Sequence, residues 1–179
     1  SGVTLKWILE ELKTLNTKTP IVLMSYLNPL YVYGYDQLVE ASLEAGVDGF
    51  IIPDLPIEEG EEIREVFNKA KIAVIQLVTP ATPENRINTI AKHSTGFLYA
   101  VTVKGVTGGN EGLSKEVAGY LETVKASSNI PVCAGFGVRS KADVELLEPY
   151  VDGIIVGSAL VEAIEQKITA TDFLNTLRA

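Results

Sequence analysis

The sequence predicts an α/β fold built on a parallel sheet. Three observations carry this. Six short apolar runs recur along the chain, and nearly all are continuous rather than alternating, as in strands buried on both faces. Amphipathic helical segments with start and stop signals separate the runs. One strand-turn pattern then returns late in the chain. Alternation of strand and helix gives parallel pairing with right-handed crossovers. Two architectures fit: an open doubly wound sheet and a (β/α)8 barrel.

The elements follow in order. A first helix is expected at about Leu5–Leu15, with Trp7 buried on it. The apolar runs are 21–24, 49–52, 72–78, 97–101, 130–134 and 153–156. Asp36 is placed to cap a helix that stops at Gly46. Ile63, Val66, Phe67 and Ala70 fall on one helix face. Thr82 before Pro83 reads as an N-cap with proline at the first helical position. Ser114 precedes Val117, Leu121 and Val124, and Ser140 with Asp143 reads as a capping box. Ser158 and Thr171 are expected to open the last two helices.

The repeat favours the barrel. Val47-Asp48-Gly49-Phe50-Ile51-Ile52 is echoed by Val151-Asp152-Gly153-Ile154-Ile155-Val156. Thr19-Pro20-Ile21-Val22 is echoed in style by Asn129-Ile130-Pro131-Val132. The offset is four strand–helix units, half of an eight-stranded barrel. Such barrels typically need about 250 residues, against 179 here. The expectation is one domain over residues 1–179, an incomplete (β/α)8 TIM barrel in which only strands three to eight and their helices are present.

Composition narrows the function. A net charge of −8 argues against a nucleic-acid-coating surface. One Cys and one His exclude an internal disulfide and a structural zinc site, so no metal is expected. No apolar run reaches the roughly 18 residues of a membrane span. No signal peptide is expected, and the expected location is cytoplasmic.

In barrels of this kind chemistry sits on the loops after the strands, with phosphate held near helix N-termini after strands seven and eight. Those loops would be Gly135-Phe136-Gly137-Val138 and Gly157-Ser158-Ala159. A third, Gly105-Val106-Thr107-Gly108-Gly109-Asn110, is a candidate lid. The plain alternative is that these glycines only make tight turns and Ser158 only caps a helix. Asp48 and Asp152 lie before strands and read as turn formers at the opposite face. Asp54 lies past a strand, in Pro53-Asp54-Leu55-Pro56, and either orients a polar partner or forms the turn. Tyr26 and Tyr99 sit at or near strand ends and line a pocket or pack the barrel. Cys133 reads as inert strand packing and His93 as a surface residue. The single His allows no nucleophile–base pair. No Lys lies within a strand, and Lys104 falls on the lid loop.

These motifs together resemble one family. Pro20-Ile21-Val22-Leu23-Met24-Ser25-Tyr26-Leu27-Asn28-Pro29 is similar to the third-strand motif of the tryptophan synthase alpha subunit family. Ala45-Gly46-Val47-Asp48-Gly49 with Pro53-Asp54-Leu55-Pro56-Ile57-Glu58-Glu59 resembles its fourth-strand signature. Gly105-Val106-Thr107-Gly108 resembles its mobile loop, and Ala134-Gly135-Phe136-Gly137-Val138 with Val156-Gly157-Ser158-Ala159 resembles its phosphate grip. The motifs run in family order from Gly2 to the C-terminus.

The resemblance implies a (β/α)8 barrel lyase of tryptophan biosynthesis. It would cleave indole-3-glycerol phosphate by a retro-aldol reaction into indole and glyceraldehyde 3-phosphate. It implies an α2β2 complex in which a beta subunit receives the indole. No cofactor is implied for this chain; pyridoxal phosphate belongs to the beta subunit. Residue by residue, Gly108, Gly137, Gly157 and Ser158 would hold the phosphate through backbone N–H groups. Met24, Tyr26, Leu77, Tyr99 and Phe136 would line the pocket, with Asp54 behind it and Thr107 ordering the lid. Asn28 and Pro56 would face the beta subunit. Val103 stands where the family often has Arg. The family's acid–base Glu and indole-orienting Asp precede the matched segment, so the catalytic residues are expected outside this chain and the 179-residue piece is expected to be inactive alone. Two rivals stay open. One is another sugar-phosphate barrel enzyme. The other is a partial barrel that binds phosphate or docks a partner without chemistry.

Overall fold

The computed structural model describes residues 2–102, 113–135 and 137–178. Contacts divide the chain into two units, 1–76 with 93–96 and 77–92 with 97–179.

The first unit carries α1 (Leu5–Leu12), β1 (Val22–Met24), α2 (Leu27–Tyr33), α3 (Tyr35–Glu44), β2 (Gly49–Ile51), α4 (Glu61–Lys69) and β3 (Ala73–Ile75). Its sheet is parallel in the order β1-β2-β3. Thr4 caps α1 by accepting the Trp7 N–H at 3.2 Å. Trp7 is 50% exposed, not buried as expected. The inward positions of α1 are taken by Leu9, with Leu5 and Leu12 packed on the core. The core joins Leu30, Leu38, Phe50, Ile63, Phe67 and Val74. Phe50 meets Phe67 edge-to-face at 5.2 Å, a pairing that adds about 1 kcal/mol to the area the two rings bury.

Helix α2 was not expected. Pro29 lies in the first turn of this seven-residue helix, where a missing N–H costs nothing. Asp36 was the expected cap of the next helix. It sits instead in the first turn of α3, and Gly34 at φ +87° takes the cap position, because a single residue joining two helices must turn through a conformation that favours glycine. Helix α3 stops as expected, with Gly46 at φ +70°.

The second unit carries β4 (Leu77–Val78), α5 (Glu84–His93, up to Lys92), β5 (Leu98–Val101), α6 (Lys115–Ser127), β6 (Val132–Gly135), α7 (Lys141–Leu147), β7 (Gly153–Ile154), α8 (Ser158–Glu165) and α9 (Ala170–Arg178). Its sheet is parallel in the order β4-β5-β6-β7. Val78, Leu98, Ala100, Leu121, Val124, Val132 and Ala134 are fully buried. The Tyr120 hydroxyl donates to the Val78 carbonyl at 2.8 Å, tying α6 to β4. Burial pushes that hydroxyl's pKa well up.

The run at 72–78 forms two segments rather than one strand. Val74 and Gln76 give their backbone N–H groups to the hydroxyls of Thr95 (2.8 Å) and Ser94 (3.1 Å). Side chains from outside the sheet thus take the donors that a continuous strand would offer to a neighbour.

Two caps fall where the sequence puts them. Ser114 accepts the Val117 N–H at 3.3 Å. Ser140 and Asp143 form the full capping box. Two others shift. Helix α5 begins at Glu84, and the Thr82 hydroxyl accepts the Thr79 N–H at 3.0 Å. Thr169, not Thr171, opens α9: its hydroxyl accepts from the Asp172 N–H at 3.1 Å and donates to the Asp172 carboxylate at 2.7 Å. That reciprocal bond to the third residue on is what Thr171 lacks the spacing to make.

Candidate functional site

In the second unit the parallel neighbours β6 and β7 end side by side. The Ile155 N–H donates to the Ala134 carbonyl at 2.8 Å. A Cβ on Gly135 would lie 2.3 Å from the Ile155 carbonyl oxygen. Only glycine lets the two strand ends come this close. The loops that leave there carry Gly137 at φ +78° and Gly157. Gly157 is the N-cap of α8 and brings no side chain to it, and nothing lies within 4 Å of where its Cβ would be. Ser158 is exposed at the first position of α8. Helix N-termini leave backbone N–H groups that suit an anion. Three of the four predicted phosphate residues, Gly137, Gly157 and Ser158, therefore leave one sheet edge together.

Arg139, two residues after Gly137, is already engaged. It holds Glu162 of α8 in a two-pronged pair at 2.8 and 2.7 Å. This raises the Arg139 pKa and lowers that of Glu162. Any phosphate here would meet backbone N–H groups rather than this guanidinium.

Leu77, Tyr99, Cys133 and Gly153 lie in register across the same sheet. They share one face, because registered parallel residues point the same way. Leu77 and Tyr99, both expected to line a pocket, are thus brought together and half-buried. Burial raises the Tyr99 hydroxyl and the Cys133 thiol. A thiol so shifted is protonated and inert at neutral pH. Gly153 leaves room for Cys133, since a Cβ there would lie 2.9 Å from its sulfur.

The first unit presents its own strand ends. Met24 closes β1 and Tyr26 precedes α2, 63% and 67% exposed. Asp54 is exposed in the turn after β2, and its carboxylate accepts the Leu27 N–H at 2.8 Å. Tyr26 caps α2 without a side-chain bond, so Asp54 fills that role from 27 residues away. It is a positioning group for the β1–α2 turn. Asn28 and Pro56, both exposed, lie on the two loops that Asp54 ties. His93 is exposed at the end of α5, as expected.

Asp48 and Asp152 do more than form turns. Asp48 accepts the Ile21 N–H and Asp152 the Val132 N–H, each at 2.7 Å. Thr107, Gly108, Phe136, Val103 and Lys104 lie outside the described residues. Arg64, buried on α4, was not singled out by motif reading, and Gly135 was named as part of its loop but not for its close approach to Ile155. Gly135 carried a signal as the first glycine of its loop; Arg64 carried none. Among the described residues no group of His, Cys, Asp and Glu is placed to hold a metal ion.

The chain matches the family model described as tryptophan synthase alpha chain over residues 1–176. It is 47% identical over 169 residues to a tryptophan synthase alpha chain of Bacillus cereus (strain G9842), covering 93% of this chain and 66% of that relative. A Bacillus anthracis (strain CDC 684 / NRRL 3495) alpha chain is 45% identical over the same extent. The chain thus spans just under two thirds of the length of these relatives. Among solved structures, a chain of the tryptophan synthase a2b2 complex of Pyrococcus furiosus matches with a TM-score of 0.87 and 35% identity, over 99% of this chain and 73% of that one. The Legionella pneumophila subsp. pneumophila alpha chain matches at 0.83 and 33%, over 98% and 69%. The α/β class with parallel strands, expected from the apolar runs, the internal echo and the length as the strand three to eight part of a TIM barrel, agrees with these matches. The chain belongs to the tryptophan synthase alpha chain family.

Proposed function

We propose that this chain supplies the phosphate grip and partner-facing loops of a tryptophan synthase alpha subunit. This is a lyase that cleaves indole-3-glycerol phosphate into indole and glyceraldehyde 3-phosphate and works in an α2β2 complex. The observation that carries the reading is the paired end of β6 and β7. Glycine loops and the N-terminus of α8 leave it together, in a chain matched to the family over 1–176.

In this reading the backbone N–H groups of Gly137, Gly157 and Ser158, with Gly108, hold the substrate phosphate. Leu77 and Tyr99 face the substrate, with Met24, Tyr26 and Phe136 completing the apolar lining. Asp54 keeps the β1–α2 turn in place and Thr107 orders the lid. Asn28 and Pro56 meet the beta chain, which carries the pyridoxal phosphate; this chain needs no cofactor of its own. Retro-aldol cleavage needs one proton delivered to the indole ring and one removed from a hydroxyl. Asp48, Asp54 and Asp152 are each committed to a backbone N–H. We assign the acid–base carboxylates to the third of the family's length that this chain does not span. The place of work is the cytoplasm.

Titration with glycerol 3-phosphate, read by calorimetry, tests the grip. The expected result is saturable binding that weakens at least tenfold in Gly157→Asp, where a carboxylate meets the anion in open space. Equal affinity in the variant, or no binding by the chain, overturns the reading. An indole-release assay run in parallel separates binding from turnover.

A further inference from the structure

The loop from Pro53 to Gly60 alternates between exposed and buried positions. Leu55 and Ile57 tuck under, while Pro56, Glu58 and Glu59 stand out. Two internal bonds shape it: Leu55 N–H to the Ile52 carbonyl at 3.2 Å, and Gly60 N–H to the Pro56 carbonyl at 3.0 Å. Two side chains pin it. At one end Asp54 takes the Leu27 N–H. At the other, Arg64 reaches back from the first turn of α4, and its Nη2 donates to the Ile57 carbonyl at 2.7 Å.

Arg64 is an odd choice for a core. It is 7% exposed, and its Nη1 is buried with no hydrogen-bond partner. Burying a charge with incomplete pairing is costly, and a hydrophobic residue of similar volume usually serves stability as well or better. The site is also built around it. A Cβ on Gly60 would lie 2.3 Å from Arg64 Nη1 and 3.0 Å from Leu55. A side chain at position 60 would push the guanidinium aside, so Gly60 leaves open the space in which Arg64 is seated. What this pairing provides is a fixed path for the loop.

We propose that Arg64 is a positioning residue whose guanidinium, seated beside Gly60, holds the Ile57 carbonyl and so fixes the exposed ridge of Pro56, Glu58 and Glu59 for docking of the beta chain. The docking half rests on the function proposed above. The latch half stands on the geometry alone.

Hydrogen exchange of the full chain tests the latch. In Arg64→Met, which keeps the stem but not the donors, the amides of Leu55 and Gly60 should exchange at least tenfold faster, with β2 and the centre of α4 unchanged. Arg64→Lys, which keeps one donor for Ile57, should return the loop to within about threefold of the native rate. Gly60→Ala should loosen the same amides by displacing the guanidinium, and so covers the case in which Arg64→Met fails to fold. Unchanged loop exchange in the folded variants overturns the proposal, as does faster exchange spread evenly over the unit. Affinity for a purified tryptophan synthase beta chain is then measured. It should fall at least tenfold in Arg64→Met while glycerol 3-phosphate binding stays the same. If the native chain does not bind the beta chain, the functional reading fails and the exchange result still decides the latch. If the native chain and Arg64→Met bind alike, the docking role of Arg64 is overturned.

Discussion

Asp48-Gly49 and Asp152-Gly153 begin strands in the two units with the same bonds and different surroundings. Each carboxylate accepts a backbone N–H at 2.7 Å, from Ile21 just before β1 or from Val132 at the start of β6. Each Asp backbone N–H returns to the carbonyl of that same residue at 2.8 Å. Each glycine makes room for a side chain on the neighbouring strand. Yet β2 lies between two strands and is wholly buried, whereas β7 is the last strand of its sheet and half-buried. Asp48 also gives its own carbonyl to Ala73 at 2.8 Å. Asp152 instead pairs with Lys125. The motif specifies how a strand starts; its place in the sheet sets how much that start carries.

The strongest way to break the second copy is Gly135→Ala. The added methyl meets the Ile155 backbone at 2.3 Å, and a backbone atom cannot step aside cheaply. A loss of about 2–4 kcal/mol is expected in urea unfolding. Gly157→Ala, in open space, should fall within about 0.5 kcal/mol of the native chain.

The glycines of the motif itself sharpen the contrast. Gly49→Ala should cost about 1–3 kcal/mol, because its methyl meets Ala73 Cβ, Ile75 Cδ1 and the Ala73 carbonyl at 3.0–3.1 Å. Gly153→Ala meets mainly the Cys133 sulfur. It should cost less and be largely relieved by Cys133→Ala. Equal costs for the two glycines in the native background would show that strand position does not matter.

The aspartates give a smaller effect with a pH signature. The Lys125 ammonium first, and then the Val132 N–H, hold the Asp152 carboxyl below its usual range. A folded pKa below the unfolded value means stability present above the unfolded pKa, about 3.9, and lost as pH falls through the folded pKa. Asp152→Ala should cost about 1 kcal/mol at neutral pH, given the group's exposure. The gap between variant and native urea midpoints should close on acidification below about pH 4. A gap that persists at pH 2 contradicts this account.

The smallest effect comes from helix ends. Helices α3, α4 and α8 end alike, with a bond from the residue after the turn back five positions: Val47 to Ser42, Ile72 to Phe67 and Ile168 to Ala163. The turning residue is Gly46 in the first and Lys71 or Lys167, at φ +61° and +64°, in the others. Glycine fits that conformation without strain. Lys71→Gly and Lys167→Gly should each stabilise by about 0.5 kcal/mol in thermal melts. Destabilisation by either would show that the lysine stem packs usefully there.

What was legible in the sequence follows the reach of the bonds involved. Ser114 and Ser140 cap helices through groups three residues on, and the pattern is visible in the chain. Gly137 and Gly157 were legible because few residues other than glycine follow a strand so tightly. Thr169 was missed by two residues, since Thr171 offers the same hydroxyl without the partner at the right spacing. Helix α2 was hidden because it has only seven residues and no side-chain cap of its own. Asp54 and Arg64 were not assigned their partners, because Leu27 is 27 residues from Asp54, and no pattern marks a buried arginine as a latch.

The sequence by itself determined the alternation of strand and helix, the Asp-Gly starts, the Ser114 and Ser140 caps and the glycine loops, because each is set by bonds within one turn or by one residue's backbone freedom. Only the tertiary structure decided the break at Gln76, the burial of β2 against the half-exposure of β7, the seating of Arg64 beside Gly60 and the closeness of Gly135 to Ile155. Each of these depends on which segment comes to lie beside another. That is fixed by packing and ladder hydrogen bonds between residues far apart in the chain, where local pattern carries no signal.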